Sequence, residues 1–430
     1  MRVAVVGSGI AGLAAANALV GRPIGGDRGD VHVTMLEAAR RVGGHVYTVE
    51  AQGHSIDMGF IVCNRERYPN FCGLLDELGI ATRPTTMSFS VRDTSAREWG
   101  SASLDAMFAQ RRRILDPRHW KFLVEVVGFL RTARQDLAFW RLENASLDDY
   151  LAERRVPREV RDRFVVPLAA ALWSLAPDHC GAFPALTYLR FLEQHGMLSP
   201  VRALHWHTVV GGSSRYVDAL LARLRVTGRF ALQLGTPVQT IARDAAGVRI
   251  RTADGDQHFD HVVLATHANT ALALLAKPTD DERRVLGAFR YSRNRTLLHT
   301  DRAFLPKREA AHAAWNYVAD PDTSRVAVTY SMTKLQGLPN APYLVTLNPR
   351  SEPRGVLHEA VFDHPQFDRA ALRAQRELPA LNGTHGTYYA GAYFGFGFHE
   401  DGMRSGLEAV RALLADAHTS SSIRATASAG

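Results

Sequence analysis

The opening stretch, "MRVAVVGSGIAGLAAANAL", constrains the chain more than any other. Val3 to Val6 is a short apolar, β-branched run of the kind that forms a buried parallel strand. Ile10 to Val20 has good helix formers and no breaker apart from Gly12. The pattern is therefore strand, tight turn, helix. In Gly7-Ser8-Gly9-Ile10-Ala11-Gly12, Gly7 allows the turn, Gly9 the close approach of a pyrophosphate, and Gly12 the contact of helix with strand. The helix N-terminus offers free N–H groups and a positive dipole end to the phosphates. The next apolar run, "VHVTML", ends in Glu37, placed to accept hydrogen bonds from both ribose hydroxyls. Glu37 follows Gly12 by 25 residues, a long interval that the glycine-rich loop 21–30 explains. The plainer alternative, a glycine turn beside a surface Glu, does not account for strand, helix and second strand falling in register.

The 430 residues, 46% of them apolar, are ample for a large core and predict two or three domains. The net charge of +8 raises nucleic acid or an anionic membrane as partners. The excess is spread along the chain, however. Only four lysines (Lys121, Lys277, Lys307, Lys334) stand among many arginines, which reads as codon bias, so no nucleic-acid partner is expected. Cys63, Cys72 and Cys180 are too few and scattered for a disulfide frame or a zinc site, and fit a reducing cytosol. No signal peptide is expected, because strand pattern begins at residue 2. The apolar stretch "FVVPLAAALWSLA" is too short to span a bilayer and contains Pro167. The expectation is a cytoplasmic protein with at most peripheral membrane contact. The last residues, 419–430, are small and polar and read as a disordered tail.

Further along, Gly43-Gly44 calls for bare backbone near something bulky, Val46 to Val49 reads as a short strand, and Ile56-Asp57-Met58-Gly59-Phe60 closes another. Phe71, Leu74, Leu75 and Leu78 have helical spacing, with Gly79 as a stop. Residues 103–203 are mostly helical by pattern, with Phe122, Val126, Phe129 and Leu130 recurring at helical spacing. That stripe reads first as core-facing, with solvated arginines opposite; the sharper alternative is an interfacial surface that meets lipid. "GGSSRYVDALLARL" reads as a glycine turn and a helix capped near Ser213 or Ser214. Short β runs follow at Val238–Ile241, Val248–Thr252 and Val262–Ala265, and 294–363 is strand-rich. The chain closes with a strand, a glycine and aromatic loop, and a final helix.

"GSGIAG", Glu37, "RVGGH" and Asp57-x-Gly59 together resemble the flavin amine oxidoreductase superfamily, which includes amine oxidases, protoporphyrinogen oxidases and carotenoid desaturases. "VVGGSSRYVDALLARL", "FDHVVLATHA" and "YYAGAYFGFGFHEDGMRSGLEAV" resemble its later flavin segments, so the likeness covers nearly the whole chain. The resemblance implies an α/β fold: a Rossmann-like, GR2-type FAD-binding domain interleaved with an α+β substrate domain. The implied division is 1–85, 205–288 and 385–418 for the FAD domain, and 86–204 and 289–384 for the substrate domain, a helical part plus a mixed sheet. "ALWSLAP", "FPALTYLRFLEQHGML", "VTYSMTKLQ", "LVTLNP" and "GFHEDGMRSG" resemble a narrower subgroup associated with cyclopropane-fatty-acid-synthase-like methyltransferases, which implies lipid metabolism and a methyltransferase as a candidate partner.

Carried over residue by residue, the likeness implies FAD held by Gly7, Ser8, Gly9, Ile10, Ala11, Gly12, Glu37, Ala38, Arg41, Gly43, Gly44, His45, Met58, Gly59, Phe60, Val238, Gly391, Ala392, Gly402 and Met403. The chain departs from the pattern in two places. His45 stands where Arg often follows the double glycine, and Ala392 where an acidic residue often bonds the ribityl chain. No cysteine lies beyond Cys180, which excludes a C-terminal cysteinyl link; non-covalent FAD is expected, with His45 the candidate for any covalent bond.

Gly402-Met403-Arg404 are read as opening the final helix, with N–H groups suited to an anionic reduced pyrimidine ring. His399 is the candidate acid or base, and Tyr393 in the same loop is the second catalytic candidate. Phe396 and Phe398, in a loop whose glycines let it press against a flat ligand, join Trp173, Trp315, Asn316 and Tyr330 as candidates for the substrate side, with packing as each one's alternative. No metal site is expected, and His205 and His207 are read as structural. The leading expectation is an FAD-dependent oxidoreductase that desaturates a C–C bond of a lipid-like or acyl substrate. Its rivals are an amine oxidase acting on C–N, a redox-neutral double-bond isomerase, and a non-catalytic flavin-binding partner of a lipid methyltransferase.

Overall fold

The computed structural model describes residues 1–21, 31–137, 145–173, 177–198, 204–319, 328–339 and 341–428. The loop expected at 21–30 falls almost wholly outside these. A five-stranded parallel sheet runs in the order Phe230–Leu234, His32–Glu37, Arg2–Val6, His261–Leu264, Thr387–Tyr389. Both faces of its central strands are covered, which is why Val3 to Val6 is apolar throughout. Val3 and Val5 pack with the first helix (Ile10–Ala16) and the final helix, and Ala4 and Val6 with the opposite layer. That layer includes an antiparallel meander of Thr240–Asp244, Gly247–Thr252 and Gly255–Phe259.

The second large sheet has seven strands, in the order Val356–Gln366, Arg290–His299, Leu344–Leu347, Val328–Ser331, Trp315–Val318, Phe89–Arg92, Glu98–Gly100. It is antiparallel except where Trp315–Val318 runs parallel to Phe89–Arg92. Helices Pro117–Asp136, Leu147–Glu153, Val166–Trp173 and Ala185–Gln194 pack against it through Phe122, Leu147, Ala169 and Tyr188 in one continuous core with Val91 and Trp99. The parallel sheet thus takes its strands from 2–37, 230–264 and 387–389, and the seven-stranded sheet from 89–100 and 290–366.

Several local expectations shift. The strand expected at Val46–Val49 is Thr48–Ala51, because Gly43 and Gly44 have φ of +112° and +58° and the Val46 N–H closes a turn on the Gly43 carbonyl. The helix expected from Phe71 to Leu78 spans Pro69–Glu77, and Gly79 at φ +67° ends it. Ser213 does precede the helix Ser214–Val226, but its hydroxyl does not cap it; it donates to Asp57 instead, at 2.7 Å. The final helix opens at His399, not Gly402, and continues to Ser428. The stretch expected as a disordered tail is therefore helical over 419–428. Extending an anchored helix adds one hydrogen bond per residue fixed and needs no new nucleus. No helix among the described residues is long and apolar enough to cross a membrane.

Candidate active site

A cavity of about 550 Å³ lies where the C-terminal ends of the parallel strands meet the seven-stranded sheet. Val6, Leu36, Ala265 and Gly391 mark those strand ends, the place where α/β sheets bind ligands. Trp315, Tyr330, Leu347 and Phe362 come from the facing sheet, and Leu172, Trp173, Phe191, His195 and Met197 from the helical layer.

At the first strand end each glycine has a separate physical reason. Gly7 has φ +101°, and a Cβ there would lie 2.7 Å from the Ala265 carbonyl oxygen. A Cβ on Gly12 would fall 2.0 Å from the Gly7 carbonyl oxygen, so only glycine lets the helix lie this close to the turn. A Cβ on Gly9 would meet nothing within 4 Å. Glycine at that position leaves space on the cavity side rather than room for the chain. The helix that begins at Ile10 has no side-chain cap and no acidic residue in its first turn, so its leading amides remain available to an anion. Glu37 accepts from the Ser8 N–H at 2.9 Å, the Ser8 hydroxyl at 2.6 Å and the Ala39 N–H at 2.8 Å, which fixes its carboxylate beside the glycine turn.

Gly59 passes directly over His45: a Cβ would sit 2.0 Å from the His45 carbonyl oxygen, which also accepts from the Phe60 N–H. Two residues earlier, Asp57 is fully buried. It accepts from the Ser213 N–H and hydroxyl and from the Thr48 hydroxyl, tying the start of the helix Ser214–Val226 to the strand before the site. Burial pushes its carboxyl up to about 6 despite these donors.

The half-buried His45 packs against Phe362 and His364, with ring centroids 5.3 and 5.6 Å away, and His267 at 6.0 Å. One ring nitrogen bonds the Asp363 carbonyl, while Nε2 is buried without a partner. Desolvation first, and the other two histidines next, push His45 down to about 3; burial pushes His364 to about 4 and lowers His267. All three rings are neutral at ordinary pH. The Trp173 Nε1–H and the Tyr393 hydroxyl also line the cavity, buried and unpartnered. Burial holds Tyr393 far above its usual range, so its hydroxyl is a donor. A lone pair and two donors without partners, on three residues of the cavity wall, fit a ligand with polar groups of both kinds.

His399 lines the cavity, with its ring nitrogen engaged and its ring packed. Its Nε2 lies 2.9 Å from the Tyr216 hydroxyl, its ring stacks on Phe60 at 3.8 Å, and Phe71 packs edge-on at 4.7 Å. Burial pushes it down to about 3. Gly402 does not offer a free amide, because its N–H donates to Phe398 within the helix that begins earlier than expected. The loop before it is held by Asp401, which accepts from the Phe396 and Phe398 N–H groups, and by Gln375, which donates to the Tyr393 carbonyl.

Of the residues singled out in the sequence, Ser8, Ile10, Ala11, Ala38, Gly43, Gly44, Met58, Val238, Ala392, Gly402, Phe396 and Phe398 line the cavity with those already placed there. Four do not. Gly12 serves the fold. Arg41 lies over the Tyr47 ring at 4.1 Å and donates to the Val46 carbonyl. Met403 is buried in the core between the sheet and the final helix. Asn316 points to the other face of its strand from Trp315, where it accepts from Ser90 and Ala313 and donates to the Ala313 and Thr329 carbonyls. Phe191, His195, Trp206, His267, Phe362 and His364 line the cavity without having been singled out. The helical spacing of Phe191 and His195 was the one local signal for any of them.

These features fit FAD. The open space at Gly9 and uncapped amides suit a pyrophosphate, Glu37 suits a ribose, and the unpartnered His45, Trp173 and Tyr393 atoms suit a ring system with hydroxyls and amide-like groups. Comparison with known proteins points the same way. Residues 10–337 match the family model "Flavin containing amine oxidoreductase". Polyamine oxidase 1 of Oryza sativa is 55% identical over 58 residues, 14% of this chain and 10% of that protein's own length. Among solved structures, a CLA-producing fatty acid isomerase from P. acnes superposes with a TM-score of 0.69 at 18% identity, covering 95% of this chain and 98% of the other. Putrescine oxidase bound to putrescine gives 0.68 at 15% identity, covering 96% and 99%. These two likenesses carry the fold alone; the family match covers most of the chain. The chain, which covers no more than 56% of the length of the curated relatives it matches, belongs to the flavin-containing amine oxidoreductases.

Proposed function

We propose that the enzyme removes hydrogen across a C–C bond of a long apolar, acyl-type substrate. The observation that carries this is the wall of the cavity away from the glycine turn. Phe60, Ile61, Val62, Met87, Leu172, Trp173, Phe191, Met197, Trp206, Trp315, Phe362, Phe396 and Phe398 make it apolar and aromatic. Among the described lining residues there is no lysine or arginine, and the carboxylates are Glu37, at the glycine turn, and Asp363. An ammonium on this wall would find one carboxylate, Asp363, in exchange for its hydration. An alkyl chain loses nothing there and gains about 0.8 kcal/mol per buried CH₂.

FAD, when bound, supplies a two-electron, hydride-accepting ring. The chain's own part is to hold the alkyl chain, exclude water and supply polar contacts at fixed atoms. The Tyr393 hydroxyl and Trp173 Nε1–H are donors. His45 Nε2 is an acceptor; a ring pushed down to about 3 is a weak base, better suited to receiving a hydrogen bond than to keeping a proton. One fold neighbour is a fatty acid isomerase, which is consistent with an acyl chain on this scaffold.

A second reading, oxidation of a C–N bond, draws on Asp363 at the cavity and on the Trp315–Tyr330 pair, perpendicular at 88° with centroids 5.2 Å apart. The test is anaerobic titration of the holoprotein with acyl lipids and with amines, followed by mass spectrometry. Flavin bleaching by an acyl lipid with loss of two mass units supports desaturation. Bleaching by amines alone refutes it in favour of C–N oxidation. A moved double bond at unchanged mass refutes it in favour of isomerisation.

A further inference from the structure

The long helix Pro117–Asp136 carries two apolar stripes. One, made of His119, Phe122, Val126, Phe129 and Ala133, is buried in the helical layer. The other does not face the protein. Trp120, Val124 and Val127 recur at i, i+4 and i+7 on the opposite side and are 48%, 67% and 45% exposed. Just before the helix, Ile114 and Leu115 are 46% and 89% exposed, and Leu104 is 75% exposed. These six are more than half of the eleven large apolar side chains exposed among the described residues, gathered within 24 consecutive positions. Isolated exposed apolar residues are ordinary; six gathered in one short stretch of chain are not.

The charges around the patch identify its partner. Residues 104–131 hold six basic and three acidic side chains. Arg112, Arg118 and Arg131 make no ion pair among the described residues, whereas Arg111 pairs with Asp105 and Arg113 with Asp116. Arg112 and Arg118 alternate along the chain with Ile114, Leu115 and Trp120. Apolar residues and a tryptophan interleaved with lysine and arginine, net positive, are the composition of a surface seated at an anionic lipid interface. Trp120 is held for such a role: its Nε1–H donates to the Ile114 carbonyl at 2.8 Å and its ring packs 4.7 Å from Phe108, so no donor is left unsatisfied when the indole enters a headgroup layer.

We propose that this face, Leu104, Ile114, Leu115, Trp120, Val124 and Val127 with Arg112 and Arg118, docks the enzyme on the surface of an anionic lipid bilayer. The helix bearing it packs on Ala185–Gln194, whose Phe191 lines the cavity, so the docked face is one helix away from the active site. The docking does not depend on which substrate the cavity takes.

Flotation of the holoprotein with vesicles tests it. Vesicles of phosphatidylcholine mixed with phosphatidylglycerol should carry the protein at low salt, and phosphatidylcholine alone should carry much less. Leu115→Glu with Val124→Glu should lower partitioning by about tenfold or more, and Arg112→Ala with Arg118→Ala should lower it on anionic vesicles by about the same factor. All four positions are exposed, so both double variants should keep their flavin and melting temperature. Wild-type protein that stays unbound on both vesicle types overturns the proposal, as does binding that neither variant weakens. Light scattering that shows a wild-type dimer, split by the Leu115/Val124 variant, assigns the face to a second copy and overturns it too.

Discussion

The Nε2 atom of His399 lies 2.9 Å from the Tyr216 hydroxyl, and the same ring stacks on Phe60 at 3.8 Å. That pairing ties the start of the final helix to the helix Ser214–Val226, and burial keeps the ring neutral. His399→Phe should therefore retain the stack, retain FAD, and lose about 1–2 kcal/mol of stability for the vacated Tyr216 hydroxyl. The pH dependence of substrate-driven flavin reduction should keep its wild-type shape. An inflection near neutral pH that disappears in the variant would restore His399 as an acid or base.

Gly9 and Gly12 separate cofactor binding from folding. Gly9 has φ −67° and ψ 177°, open to any residue, and a Cβ there meets no atom of the chain. Gly9→Ala should give apoprotein of wild-type melting temperature that binds FAD at least ~10-fold more weakly, since the methyl group occupies space Gly9 leaves open. Gly12→Ala places its methyl group against the Gly7 carbonyl and should cost several kcal/mol of stability, of the order of ~3 kcal/mol. Equal FAD affinity for Gly9→Ala and wild type would mean that the pyrophosphate lies elsewhere.

The contrast shows what was legible in the sequence. The glycine turn, Glu37 and the first two strands lie within one βαβ unit, and local spacing specifies them. Asp57 is different. Its place in a Asp-x-Gly stretch marked it, but its partner Ser213 is 156 residues away, so a serine that reads as an ordinary cap turned out to donate to a distant carboxylate. Trp315 and Asn316 were equally good candidates for the cavity; a strand sends neighbours to opposite faces, and the register of Trp315–Val318 against both Val328–Ser331 and Phe89–Arg92 decides which residue faces in. The His45, His267, His364 group joins a turn, a strand end and the outer strand of the seven-stranded sheet, and no periodicity in any one of these signals the other two.

Glu37 accepts three hydrogen bonds from Ser8 and Ala39 before any ligand arrives. Glu37→Ala removes the acceptor for those groups together with the candidate ribose contact. FAD binding should weaken by roughly 1–3 kcal/mol, the order of a lost hydrogen bond to a charged group. Glu37→Gln keeps one acceptor oxygen and should fall between the two. Fluorescence titration of apoprotein with FAD reads both variants, and wild-type affinity in Glu37→Ala would remove this residue from the site.

Acid should destabilise the protein, through its histidines. Burial pushes His45 and His399 down to about 3, and His195, His299 and His364 to about 4. In the unfolded chain the same rings titrate near 6.5. As pH falls from about 6.5 toward 4, the unfolded state takes up protons that the folded state does not, so stability declines by up to about 1.4 kcal/mol per pH unit for each ring. Asp57 and Asp401 act in the opposite sense. With carboxyls at about 6 they bind protons in the folded state before the unfolded state does, and they add stability as pH falls through 6. Five rings outweigh two carboxyls, and the melting temperature should drop steadily below neutral pH. Asp57→Asn abolishes one opposing contribution, so its melting temperature should drop more steeply with acid than that of wild type. A melting temperature that is flat from neutral to mildly acidic pH, or a shallower drop in Asp57→Asn, would show that these groups are not held in the buried states described.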